Sequence, residues 1–202
     1  MKDPLLSGKA GRIDRVEVPA LRFFAIEGQG APESAAYAAS VGALYALAYG
    51  ARFAGKAQGH EDKVGPLEGL WWADDMQVFQ PGGARESWRW RMMIRAPGWL
   101  DPEAFETLRA AALAKRRTDK PDVAEALPRV ALQEYAEGRC LQALHVGPYA
   151  EEGPLIARIH DEAAAQGMAL SGPHHEIYLS DPNRSAPDKL KTILRQPVRA
   201  HG

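Results

Sequence analysis

The chain has 202 residues, 46% hydrophobic and 25% charged, which suits one sizeable globular core. Its 25 Lys and Arg stand against 26 Asp and Glu, and the resulting formal charge of -1 argues against the clustered basic surface that binding nucleic acid requires. Cys140 is the single cysteine, so no intrachain disulfide or Cys-rich metal site can form, and no stretch reaches the roughly 18 apolar residues of a membrane span.

Residues 1–13 lack periodicity and read as a flexible N-terminal arm with no signal-peptide core, so a cytoplasmic protein is expected. A single domain then covers 14–202. Residues 14–28 are rich in β-branched and aromatic side chains and predict a strand, with Pro19 near an edge or bend. Gly28-Gln-Gly-Ala-Pro32 is a turn signal. Residues 33–54 predict an Ala-rich helix with Ser34 as a cap; its tyrosines fall on a core stripe, and its Ala-rich face offers a surface for a homodimer.

Strands are predicted at 64–73 and 86–95, joined by a connection from Asp74 to Arg85 that holds Pro81-Gly-Gly83. The second strand alternates Trp88, Trp90 and Met92 against Arg89, Arg91 and Met93, which places the two sets on opposite faces. Asp101-Pro102-Glu103 opens a helix to about Lys115, and Lys115-Arg116-Arg117 then complements its C-terminal dipole. A charged connection follows, with a short helical piece somewhere in 121–134.

The second half begins near Arg139 with a strand ending at Gly147, then a helix from about Glu151 to Gly167, then strands at 173–180 and 190–196. Both halves, 14–100 and 139–198, therefore read β-α-β-β, joined by a helical connection over 101–138. A ten-residue echo supports a duplication: Gly65-Pro-Leu-Glu-Gly-Leu-Trp-Trp-Ala-Asp74 against Gly172-Pro-His-His-Glu-Ile-Tyr-Leu-Ser-Asp181. The fold class expected is α+β, with pseudo-twofold symmetry, an antiparallel sheet, helices on one face and a ligand groove between the halves.

The echo aligns Trp71 with Tyr178 and Gly69 with Glu176, so one half carries a carboxylate the other lacks. Strand alternation puts His174, Glu176 and Tyr178 on one face and Ile177 and Leu179 on the other. The apolar face is expected against the helices, and the Glu176 face against solvent or a cavity. A carboxylate among aromatics in a cavity has a raised pKa and serves as acid, base or cation receptor. Tyr149, after the His145-Val-Gly-Pro148 turn, either lines a site or packs on the next helix. Trp72 points away from Trp71, toward the core, while Trp90 fits core or groove. His174 and His175 point to opposite faces, and His60, His145, His160 and His201 lack ligand spacing, so no metal and no cofactor are expected.

Phe24-Ala-Ile-Glu-Gly-Gln-Gly30, Pro66-Leu-Glu-Gly-Leu-Trp-Trp72, His145-Val-Gly-Pro-Tyr149, His174-His-Glu-Ile-Tyr-Leu-Ser-Asp-Pro182 and the tail Pro187 to Val198 together resemble the GyrI-like small-molecule-binding family. The resemblance implies the duplicated fold and a small aromatic ligand, planar or cationic, with Glu176 in the place of that family's buried glutamate. It also implies the stand-alone form, without the DNA-binding helices of the regulators. The Trp-Trp and His-His-Glu-Ile-Tyr-Leu motifs are similar to hydrolases of cyclopropane-bearing, DNA-alkylating compounds. By that likeness Trp71 or Trp72, Tyr149 and Tyr178 form an aromatic cage, with Trp90, Arg91 and Met93 as further candidate lining, and Glu176 and Tyr149 act catalytically. A protein that binds such compounds without turnover is the alternative.

Overall fold

A computed structural model describes residues 3–75 and 83–200. Four α-helices and nine strands are present among the described residues, and every strand pairing described is antiparallel, so the chain is α+β. The strands are β1 (Ile13–Val18), β2 (Leu21–Gln29), β3 (Leu67–Trp72), β4 (Arg89–Arg95), β5 (Ala131–Tyr135), β6 (Gly138–Val146), β7 (Met168–Leu170), β8 (His174–Tyr178) and β9 (Lys191–Ala200). The helices are α1 (Ala35–Ala57), α2 (Pro102–Asp119), α3 (Pro121–Ala126) and α4 (Gly153–Ala165). The order β2-α1-β3-β4 recurs as β6-α4-β8-β9, with only the short β7 inserted.

Local chemistry explains the boundaries. Pro19 and Ala20 split the single strand expected over 14–28 into β1 and β2, because proline cannot donate to a ladder. Ser34 caps α1, its hydroxyl accepting from the Tyr37 N–H at 3.2 Å, and Asp101 caps α2 through the Ala104 N–H at 2.8 Å. The short helical piece expected within 121–134 is α3, followed by a 3-10 turn that ends at Arg129; the strand β5 then begins at Ala131, and Leu132 pairs with Phe24 of β2. Residues 76–82 of the expected connection before β4 lie outside the described residues.

The chain divides into two compact units that interleave along the sequence. The first takes residues 1–20, 66–71 and 136–202; the second takes 21–65 and 72–135. In the first unit the strands run β1-β6-β9-β8-β3, with β7 on the end of β9. Leu141, Ala143 and Leu194 on one sheet face pack against Ile159 and Ala163 of α4. In the second unit β2 lies between β4 and β5. Phe24 stacks on Phe105 of α2, and Trp90 meets Tyr37 of α1 edge-on at 5.2 Å.

Two expectations about the first unit are corrected. Glu176 pairs with Leu194, and Ala143 pairs with that same Leu194, so Glu176 shares the sheet face that α4 covers. The helix is therefore on the carboxylate's side, not on the side of Ile177. The opposite face, with Ile177 and Ile193, is covered by the N-terminal residues that were expected to hang loose. Pro4–Leu6 form a 3-10 turn, Leu5 is buried, and the Gln142 amide donates to the Pro4 and Ser7 carbonyls at 3.0 and 3.1 Å. Gly8 packs so closely there that an added Cβ would meet the Leu144 side chain at 3.1 Å.

Candidate functional site

The Glu176 face of the first unit gathers four of the residues singled out in the sequence. Gly69 of β3 is the direct cross-strand partner of Glu176, Trp71 sits opposite His174, and Leu67 opposite Tyr178. Directly paired residues of an antiparallel ladder share a face, so Trp71 and Tyr178 flank Glu176 with no side chain from position 69 between them. The Trp71 indole N–H donates to the Tyr178 hydroxyl at 3.0 Å, and that hydroxyl donates to Glu176 Oε2 at 2.7 Å. Tyr149 lies in a short 3-10 turn before α4, and its ring meets Tyr178 edge-on at 5.6 Å. Trp71 is 6% exposed, the Glu176 side chain 17% and Tyr149 39%, so the cluster grades from the buried indole to the open phenol.

Burial pushes the Glu176 carboxyl up to about 7, against the Tyr178 hydrogen bond and the nearby His175 charge, which both favour its anion. A second carboxyl, Glu152, lies at the start of α4 and is buried. Its N–H donates to the Tyr149 carbonyl at 3.1 Å, which ties it to the same corner. Burial first and the neighbouring Glu176 second push Glu152 up to about 9, with the Thr192 side chain pulling the other way. Glu152 thus keeps its proton in neutral solution while Glu176 is poised to lose its own. His174 completes the face: its Nε2 stands 3.6 Å from Glu176 Oε1, and burial pushes its ring down to about 3, so it is neutral.

The reverse face of β8 carries a second polar group of side chains. His175 Nδ1 lies 2.9 Å from Glu137 Oε1, and its Nε2 lies 3.1 Å from Glu68 Oε2. Arg195 of β9 donates to Glu137 Oε2 at 2.8 Å, to Gln142 Oε1 at 3.1 Å and to the Leu5 carbonyl at 2.6 Å. All four charged side chains are at most 2% exposed. Burial would raise Glu137, but the His175 and Arg195 charges outweigh it and bring the group down to about 2. Burial would likewise lower His175, yet the Glu137 and Glu68 carboxylates carry it above its ordinary value.

The remaining candidates lie elsewhere. Trp90 is 1% exposed, with its indole N–H on the Gly30 carbonyl at 3.2 Å, inside the core of the second unit. Arg91 ion-pairs with Glu27 on β2, and Met93 is buried on the same strand face as Arg91. Trp72 ends β3 half-buried, on the face opposite Trp71. Sequence reasoning missed Glu152, which falls unremarked within the helix expected from about Glu151 to Gly167, and the Glu68–His175–Glu137–Arg195 group. One signal was available for the latter: Glu68 and His175 hold the same place in the ten-residue echo, and a carboxylate and an imidazole at equivalent offsets can pair. Among the described residues no set of His, Cys, Asp and Glu is arranged to hold a metal ion, and no helix is long and apolar enough to cross a membrane.

Fold and site together define an α+β protein with an aromatic–carboxylate cluster on one sheet face. The chain belongs to the GyrI-like family: the GyrI-like small-molecule-binding domain matches residues 13–199. Among solved structures it is similar to an uncharacterised conserved protein from Listeria innocua, at 36% identity and a TM-score of 0.84, over 94% of this chain and 93% of that one. It is also similar to two proteins from Listeria innocua described as hydrolases. One is 35% identical with a TM-score of 0.78 and the other 34% identical with a TM-score of 0.80; each match covers 94% of this chain and 93% of the other. The EcmrR C-terminal domain shares the fold at 9% identity and a TM-score of 0.58, over 94% of this chain and 98% of that domain. No curated protein matches the chain.

Proposed function

We propose that the protein binds planar aromatic electrophiles and hydrolyses a strained ring in them, the substrate class being cyclopropane-bearing alkylating compounds. The observation that carries this reading is the hydrogen-bonded chain Trp71–Tyr178–Glu176, with the open Tyr149 ring against it. The two Listeria innocua relatives described as hydrolases favour turnover over mere binding. Aromatic faces suit a flat ligand, and a carboxyl near 7 suits a general base in neutral solution.

In the reaction, Glu176 accepts a proton from a water molecule as the water oxygen bonds to a ring carbon. The strained carbon–carbon bond breaks, and its electron pair moves through the conjugated system to the substrate carbonyl. The Tyr149 hydroxyl donates a hydrogen bond to that oxygen as its charge grows. The aromatic walls hold the ring carbon in line with the water. Purified protein mixed with a cyclopropane-bearing alkylator should release ring-opened product in molar excess over protein. Tight binding without product would leave a sequestering protein instead. Glu176→Gln should lower turnover about 100-fold or more while ligand binding persists; unchanged turnover would remove Glu176 from the chemistry.

A further inference from the structure

The buried charged group on the reverse face of β8 has no part in the reaction above, and its geometry constrains the protonation of His175 directly. Each ring nitrogen lies within ion-pair distance of a carboxylate oxygen, at 2.9 and 3.1 Å, in a pocket where all three side chains are at most 2% exposed. Only the protonated ring carries a charge that offsets these two buried carboxylates. Arg195 and the two carboxylates complete a layer of two positive and two negative charges, closed off by the Leu5 carbonyl and the Gln142 amide.

Resting on the reading of Glu176 as the working carboxyl of the site, we propose that His175 is its positioning residue: held as an imidazolium between Glu68 and Glu137, it sets a fixed positive charge behind Glu176 that favours the carboxylate over the acid. The two residues are adjacent in β8, on opposite faces, so no other charge of the layer comes from a nearer position in the chain. The groups that face Glu176 on its own side leave this role open. Tyr178 and Trp71 are neutral hydrogen-bonding groups, His174 is neutral, Glu152 keeps its proton, and Leu194 of β9 is apolar. The groups that face His175 are Glu68 from β3, Glu137 before β6 and Arg195 from β9, with apolar Leu70 opposite it on β3.

The test reads ionisation rather than turnover, so it stands or falls apart from the proposed hydrolysis. Carbon-13 NMR of labelled glutamate carboxyls follows Glu176 in the full chain, assigned by its loss in Glu176→Gln. The paired substitution His175→Gln with Glu68→Gln keeps the layer neutral but removes the imidazolium, and should raise the Glu176 midpoint by about one pH unit. Glu68→Gln alone leaves the layer with excess positive charge and should lower that midpoint. A loosened fold would not shift the two variants in opposite directions. Shifts of the same sign, or none, in folded variants overturn the proposal. Should the paired variant not fold, nitrogen-15 spectra of the native His175 ring decide: a doubly protonated pattern in neutral solution supports the role, and a neutral ring overturns it.

Discussion

Tyr178 holds a hydroxyl whose proton has only one place to go. The Trp71 indole nitrogen is a donor with no acceptor capacity, so the Tyr178 oxygen must accept from it and must spend its own proton on Glu176. The chain of bonds therefore has a direction, from buried indole to carboxylate, and it favours the anion. Tyr178→Phe removes the donor and should raise the Glu176 midpoint, measured by the same carboxyl NMR; an unmoved midpoint would show that the 2.7 Å bond carries no weight. Trp71→Phe keeps most of the buried ring but frees the Tyr178 hydroxyl to turn. It should cost about 0.5–1.5 kcal/mol in a denaturant titration, the net worth of one such hydrogen bond.

At the scale of the elements, tight packing decides where aromatic residues can serve a site. Gly28 of β2 faces Trp90 of β4, and a Cβ there would stand 2.2 Å from the indole ring. Gly28→Ala should therefore displace Trp90 and cost about 1–3 kcal/mol, read by thermal unfolding and by a change in tryptophan fluorescence. A tryptophan locked in this way is a core residue, and strand alternation could not distinguish it from a site residue. Trp71 was readable because the echo paired it with Tyr178. The strand order β-α-β-β and the helix caps at Ser34 and Asp101 were legible for local reasons, since capping and periodicity act within a few residues. The face covered by α4 was not legible, because Glu176 and Ile177 each fit a buried or an open face until the partners Leu194 and Ala143 are known. β5 escaped for a similar reason: its five residues are held by pairing with β2, over 100 residues earlier in the chain, and not by their own pattern.

For the molecule as a whole, the buried ionisable groups tilt stability toward mildly acid solution. Glu137, depressed to about 2, stabilises the fold above its ordinary value of 4.5, and that contribution is lost as the pH falls through 2. Glu176 and Glu152, raised to about 7 and 9, have the opposite sign: above 4.5 the unfolded chain gives up protons that the folded chain retains, so stability declines until each ionises. His175, raised above 6.5, stabilises fully below that value and loses its contribution as the pH climbs through its folded midpoint. The unfolding temperature should peak near about pH 5 and fall toward pH 9, a change on the order of a few kcal/mol. Glu152→Gln should lessen the fall, gaining stability over the native chain at pH 9 but not at pH 4; a native unfolding temperature that rises from pH 5 to pH 9 would contradict these assignments. The pairing of Gly69 with Glu176 has a consequence for stoichiometry. The two residues are equivalents in the ten-residue echo and also direct cross-strand neighbours, so they lie where the local twofold between β3 and β8 maps each strand onto the other. A carboxylate kept at both positions would face its own copy, buried and alike in charge. The β3–β8 pair can therefore support only one acidic focus at these positions, and a calorimetric titration with an aromatic ligand should saturate at one molecule per chain.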